Sequence, residues 1–216
     1  RTGLASVILQ MAVLDLGDIE SFPFLDPPDS RSIRDGLALL EEVGALRTGE
    51  GDTRRRLTKL GKSMARIPLD IRLARMILEA DRNLCLREVE VIAAALSIQD
   101  PRERPLEKEE QADQKHARFV DDNSDFLSWL HLWDYLRTER RARTSSQFRR
   151  LCREEYFSYR RIREWQDIHA QLRDISDELG LHQNRKPADP DAIHRSLLSG
   201  LLSHIGRKDP ESYEYR

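Results

Sequence analysis

Arginine is the residue whose placement in this chain most invites a chemical reading. Between Leu136 and Glu164 there are ten Arg and no Lys, against four Glu and no Asp, a local charge of +6 in a chain whose net charge is −2. The rest of the chain therefore carries about −8. A guanidinium is planar, permanently charged and rich in N–H donors, so a cluster of them suits phosphate oxygens and the faces of bases. Such asymmetry can mark one basic face on an acidic body. A solvated helix surface with internal ion pairs satisfies the same composition.

Other chemistries fail on spacing. Gly61-Lys62-Ser63 has the end of a phosphate-binding loop, but the glycine required five residues before Gly61 is replaced by Arg56, and Thr58 to Leu60 read as the start of a helix. The histidines His116, His131, His169, His182, His194 and His204 form no H-x-x-x-H or H-E-x-x-H pair. His131 and His169 fall on helix patterns that favour packing. There is no Gly-x-Ser-x-Gly elbow, and no carboxylate pair lies in an apolar setting that would raise its pKa. The two cysteines, Cys85 and Cys152, lack metal or redox spacing and fit a reduced, cytoplasmic compartment. No apolar stretch approaches the ~18 residues of a membrane span, and no signal peptide is visible. No catalytic centre, cofactor site or metal site emerges.

The elements that must carry these residues are mostly helical. Hydrophobic residues make up 39% and charged residues 34%, which predicts small helix-rich units with a large solvated surface. Leu4, Val7, Ile8, Met11 and Leu14 recur at helical spacing. A proline-rich segment, Phe22 to Asp29, follows, and Asp29 or Ser30 can cap a helix carrying Ile33, Leu37, Leu40 and Val43. A strand starting at Gly44-Ala45-Leu46, a turn at Gly49 to Asp52, a return strand from Arg54 to Leu57 and a helix from Lys59 to Arg66 capped by Thr58 complete a winged-helix pattern. Beyond Pro68 come helical stripes on Leu73, Met76, Ile77 and Ala80, and on Val89, Ile92, Ala93 and Leu96. Ser97 to Pro105 is a loop. Helices then carry Leu127, Trp129, Leu130 and Trp133; Ile162, Trp165, Ile168, Leu172, Ile175 and Leu179; and, over Asp189 to His204, Ile193, Leu197, Leu198, Leu201 and Leu202. Tyr213-Glu214-Tyr215 alternates like a beginning strand. The chain opens on Arg1 rather than Met and closes without a stop signal, so it is expected to be a piece of a longer polypeptide.

Several segments resemble, in order, the region that follows the motor domains of DEAH-box RNA helicases, in its bacterial HrpA form. Arg1 to Gln10 is similar to the R-T-N-L-x-S-V-x-L-Q start of the family's winged helix, departing at Gly3. Phe22 to Pro28 resembles F-x-F-x-D-P-P. Leu57 to Gly61 and Ile67 to Asp70 resemble L-T-x-L-G and x-P-L-D. Ile92 to Ser97 matches I-A-A-x-L-S, and Ile98 to Pro105 resembles the HrpA form of the next loop. Asn123 to Leu127 occupies the place of G-D-H-x-x-L, and Gly200 to Gly206 resembles the approach to the family's oligonucleotide-binding barrel.

The resemblance implies a mainly α fold: a winged-helix domain over residues 1–66, a helical-bundle ratchet domain over 67–187, and a helix leading into a truncated oligonucleotide-binding fold over 188–216. It implies single-stranded RNA as partner, with RecA-like motor domains of the same chain holding ATP and Mg and this region holding neither. Carried over by residue, contacts to RNA would come from Ser97, Gln99 and Asp100; Arg102 and Arg104 add charge in the same loop, Ser124 and Asp125 at a helix start are a second candidate pair, and Arg160, Arg161 and Arg163 lie within the basic stretch, where they could reach phosphates or bases. Arg1 and Thr2 would lie at the motor-domain junction. Competing structural roles are N-capping for Ser124 and Asp125, pairing of Arg102 and Arg104 with Glu103, Glu107 or Glu109, and intrahelical pairing of the later arginines with Glu164 or Asp167. Trp129, Trp133 and Trp165 fit a core better than a base platform.

Two other functions remain open at this level. A helical module docking a regulatory protein suits the near-neutral charge. A winged-helix transcription regulator is disfavoured, because the Ser30 to Val43 helix mixes Arg31, Arg34, Asp35, Glu41 and Glu42 and is no base-reading face.

Overall fold

Helix α2 (Ser30–Glu42) illustrates how local chemistry sets the elements. Asp29 accepts hydrogen bonds from the N–H groups of Arg31 (3.0 Å) and Ser32 (2.9 Å) and from the Ser32 hydroxyl (2.6 Å), satisfying donors the first turn leaves open. The Ser32 hydrogen bonds hold the Asp29 carboxyl below its usual range. At the other end Gly44 takes a φ of 74°, and the N–H groups of Gly44 and Ala45 return to the carbonyls of Glu41 and Leu40, a double-bonded stop that favours glycine.

The computed structural model describes residues 3–49 and 55–206. The expected turn residues Glu50 to Asp52, the expected strand at Tyr213 to Tyr215, and Arg1 and Thr2 lie outside the described residues. Ten α-helices and one two-stranded sheet are present among the described residues, so the mainly α reading holds. Two compact units result. One runs to Asn83 and takes up the chain again from His194; the other runs from Leu84 to Ile193.

In the first unit α1 (Leu4–Val13) packs on α2, burying Leu9 and Leu40 completely. Strands β1 (Leu46–Thr48) and β2 (Arg55–Leu57) pair antiparallel, with Leu46 opposite Leu57 and Thr48 opposite Arg55. Helix α3 (Lys59–Met64) is shorter than its sequence suggests. Ile67 precedes Pro68 and cannot easily hold helical dihedrals, so the helix closes early. Asp70 caps α4 (Ile71–Arg82), whose buried face includes Ala74, Met76, Ile77 and Ala80.

The second unit is built around α5 (Leu86–Leu96), which is buried on nearly every side. Its alanines let α7 (Asp125–Ala142) and α9 (Tyr159–Glu178) pack onto it. Trp165 of α9 is fully buried and donates its indole N–H to the Val91 carbonyl at 2.9 Å. Trp129 meets the Trp165 ring edge-on at 5.5 Å, and Trp133 contacts it at 4.9 Å. Glu90 is also fully buried, accepting from Ser176 (2.6 Å) and Gln183 (2.7 Å); burial pushes its pKa up. Two further helices, α6 (Glu109–His116) and α8 (Ser145–Glu154), complete this unit. The last helix, α10 (Pro190–Leu198), stops well before His204, and a separate 3-10 turn spans Leu202–His204. Ser199-Gly200 marks the break, glycine being a poor continuation for a helix.

Candidate nucleic-acid interface

The rigid α5 fixes where the loop after it begins. Ser97 closes the helix, its N–H bonding to the Ala93 carbonyl (3.1 Å) and its hydroxyl donating to the Ala94 carbonyl (2.8 Å). Gln99 is exposed. From Asp100 the loop is zipped to the chain that leads into α9. The Glu103 N–H donates to the Tyr156 carbonyl and the Ser158 N–H to the Pro101 carbonyl, both at 2.8 Å, with Arg102 and Phe157 forming an isolated antiparallel bridge. Tyr156 sits at a φ of 58° to make that join, a conformation a non-glycine residue seldom adopts.

Asp100 and Arg102 organise the loop between them. The Asp100 carboxylate accepts from the Arg102 N–H (2.8 Å), from its Nε (3.0 and 3.1 Å) and from its Nη2 (2.7 Å). Held in this fork, the Arg102 guanidinium lies over the Trp129 indole, 4.7 Å from its centroid. Arg161 of α9 donates through Nη1 to the Asp100 carbonyl at 2.9 Å. The loop after Ser97 and the start of α9 therefore meet directly, and α7 supplies the aromatic floor.

The other expected residues divide by geometry. Ser124 is buried and its hydroxyl accepts from the Leu127 N–H at 3.4 Å, so it serves as the α7 cap. Asp125 is exposed in the first turn, where a negative charge suits the helix dipole. It lies four residues before Trp129 and hence on the same helix face. On α9, Arg160 and Arg163 share a face that Arg161 does not, because residues three apart align on a helix. Arg163 pairs with Asp167 at 3.5 Å. Arg160 is exposed, with no ionic partner among the described residues. Arg104 turns to α6, where Asp113 binds its Nε and Nη2 at 2.7 Å each and Glu109 lies at 3.9 Å. Its guanidinium pKa is raised, chiefly by the hydrogen bond to Asp113. The pairing partners are thus Asp100 for Arg102 and Asp113 and Glu109 for Arg104; of the glutamates named from the sequence, only Glu109 takes part.

Of the two histidines expected to pack, His169 does so, whereas His131 is exposed on α7 and the packing role read from its helix pattern is not met; His116 is the other packed histidine. His116 is buried against Phe157 (4.8 Å between centroids), with Nε2 2.9 Å from the Glu155 carbonyl, and burial lowers its pKa. His169 faces Trp133 at 4.7 Å; burial first, then Arg173 and Arg137, bring its pKa down to about 4. Burial raises the Cys152 thiol to about 11, so it is no nucleophile at neutral pH. No group of His, Cys, Asp and Glu suited to a metal occurs among the described residues. Gly61 also has a packing explanation: a Cβ there would lie 2.3 Å from the Ala45 carbonyl oxygen, and its N–H is taken by the Thr58 hydroxyl. No helix among the described residues is long and apolar enough to cross a membrane.

Comparison with known proteins agrees with this architecture. The family "Helicase associated domain (HA2), ratchet-like" matches residues 70–155. The chain is 54% identical over 215 residues to ATP-dependent RNA helicase HrpA of Escherichia coli and 52% identical over 217 residues to the HrpA homolog of Haemophilus influenzae. This chain is a HrpA-type region carrying a ratchet-like helicase-associated domain. It is also 29% identical over 206 residues to ATP-dependent RNA helicase DHX33 of Drosophila melanogaster, covering 95% of this chain. All of this chain aligns with the two HrpA proteins, yet it spans only 16% and 17% of their lengths, and 28% of the Drosophila protein.

Within the HrpA-type region, the matched ratchet-like span contains the Ser97 loop, α7 and α8 but ends before Arg161. The role of Trp129 as the surface under Arg102 was not visible in its sequence setting, since its spacing from Trp133 and its apolar neighbours point inward. Its half-exposed position shows that one ring serves both the core edge and the loop.

Proposed function

We propose that this chain is an accessory, single-stranded RNA-binding and coupling region of a DEAH-box RNA helicase that works in the cytoplasm. The supporting observation is the junction of the Ser97–Pro105 loop with the start of α9, braced by Asp100, Arg102, Arg161 and Trp129. A loop fixed at so many points loses little freedom when it meets a flexible strand, which favours contact without a large ordering cost. Ser97, Gln99 and the outer edges of Arg102 and Arg161 are the groups offered to the strand, with Asp125 and Arg160 at its margins. Residues 1–66 would form the winged-helix hinge, with Arg1 and Thr2 at the junction with the motor domains. ATP and Mg would be held by those domains, as the family resemblance implies.

Fluorescence anisotropy of the full chain with labelled oligouridine, at several salt concentrations, tests this reading. The expected result is weak, sequence-tolerant binding that falls as salt rises, with a log–log slope of about −0.7 per phosphate contact. A flat salt response, or tighter binding to duplex DNA, contradicts it. A regulatory protein docking on the first unit is the alternative, favoured by the exposed apolar side chains of Leu14, Leu16 and Leu25. Co-purification of a protein partner without any RNA affinity would select it.

A further inference from the structure

Helix α8 has two flanks with different electrostatics. On one, Arg150 pairs with Glu154 at 2.7 Å, and nearby Arg143 pairs with Glu139. On the other, Ser145, Arg149 and Arg153 follow at four-residue intervals and so line one face. An open cleft of about 890 Å³ lies there, bounded by Thr144, Ser145, Ser146, Arg149, Arg153 and Tyr159. No carboxylate is among those residues, and neither Arg149 nor Arg153 has an ion-pair partner among the described residues. Arg149 lies over the Tyr159 ring at 4.9 Å, and Arg140 reaches the Ser145 hydroxyl at 3.4 Å.

This arrangement matches what a phosphodiester requires. The Tyr159 ring braces the Arg149 guanidinium from one side, and the planar fork of a guanidinium can bind phosphate oxygens in pairs. Arg149 and Arg153 are about 6 Å apart along the helix axis, at 1.5 Å per residue, so they can meet different phosphates of one strand. The hydroxyls of Ser145 and Ser146 add neutral donors. An acidic protein segment would bring carboxylates on side chains of varied reach, for which this single row is less suited. We propose that the Arg149–Arg153–Tyr159 cleft is a second, separate contact for the phosphate backbone of single-stranded RNA. The inference rests on the RNA-binding reading above, but the cleft shares none of the residues that brace the Ser97 loop.

The test compares R149Q/R153Q, the loop variant R161A and the control R150Q in the full chain, by anisotropy with labelled oligouridine across a salt series. The double variant is expected to lose about tenfold in affinity at low salt. The magnitude of its salt slope should drop by about 1.4, the loss of two phosphate contacts. R149K/R153K should keep the slope, because the charge is retained, and R150Q should stay within about twofold of wild type, as for an exposed ion pair. Should the double variant fail to fold, R153Q alone should remove about half the slope change. Wild-type affinity and slope in R149Q/R153Q would overturn the cleft while leaving the loop reading intact if R161A is impaired. Impairment of R149Q/R153Q but not R161A would support the cleft and sink the loop site. Absence of any RNA binding by the wild-type chain overturns both. Retained RNA binding in R149Q/R153Q with loss of binding to a phosphorylated acidic peptide would assign the cleft to a protein and reject the proposal.

Discussion

The arginines of the second unit fall into two populations that differ in what already holds them. Around the Ser97–Pro105 loop, Arg102 is forked by Asp100 and laid on Trp129, and Arg161 gives its Nη1 to the Asp100 carbonyl, so each reaches a ligand only through its outer edge. Along α8 and its cleft, Arg149 and Arg153 face open space, with one aromatic brace and no counter-ion among the described residues. The first group builds a shape; the second offers charge. Arginine number alone does not separate them, because Arg104, Arg150 and Arg163 are equally charged and are all engaged by nearby acids. What a guanidinium can do for a ligand depends on the donors left over after its own chain has used it.

That contrast can be broken from its foundation outward. Both populations depend on the aromatic core beneath them, so W165A should cost about 3–5 kcal/mol of stability, read from urea unfolding. It should impair both surfaces at once; loss of one without the other would mean the core does not support them jointly. Next in size, D100A should release Arg102 and disorder the loop. A loss of about 1–3 kcal/mol is expected, together with faster hydrogen exchange at Glu103 and Ser158, whose N–H groups the loop junction protects.

A pH titration separates core from surface. The His169 pKa is depressed in the folded chain to about 4, so between its ordinary value and that one the unfolded state binds more protons. Stability should therefore be fully present above about pH 6.5 and decline as pH falls toward 4. Glu90 works in the opposite sense: its raised pKa makes its burial cost appear only as pH climbs above the ordinary carboxyl range. H169F should flatten the acid-side decline in Tm; an unchanged profile would show that His169 does not dominate it. The smallest effect is expected from R104A, whose exposed ion pairs predict a stability change within about 0.5 kcal/mol and RNA affinity close to wild type.

The long elements were legible because their apolar stripes are dense. Helix α9 could be read from Ile162, Trp165 and Leu172, and α5 from its Val, Ile and Ala run. Helices α6 and α8 were not legible, for a physical reason. Ala112 and His116 are the buried positions of α6, and Phe148 and Cys152 those of α8, too few to stand out among charged neighbours. Both the loop and the start of α9 stood out as candidate RNA contacts, the loop by its family motif and α9 by its arginines, but the atoms that join them could not be read. The Arg161 contact runs to a backbone carbonyl, which no side-chain pattern announces, and the turn at Tyr156 uses a left-handed conformation without a glycine to signal it. Ser124 resolves as a cap because its hydroxyl lies within reach of the Leu127 N–H, a choice between two roles that its sequence setting leaves open.

The account turns on where an unpaired strand touches this chain. Photo-crosslinking the full chain to oligouridine containing 4-thiouridine, followed by mass-spectrometric mapping, addresses that directly. Crosslinks should fall on the Ser97–Arg102 segment and the first turn of α9, and weaken as salt is raised. Crosslinks confined to the first unit, or none above those of a duplex control, would contradict it.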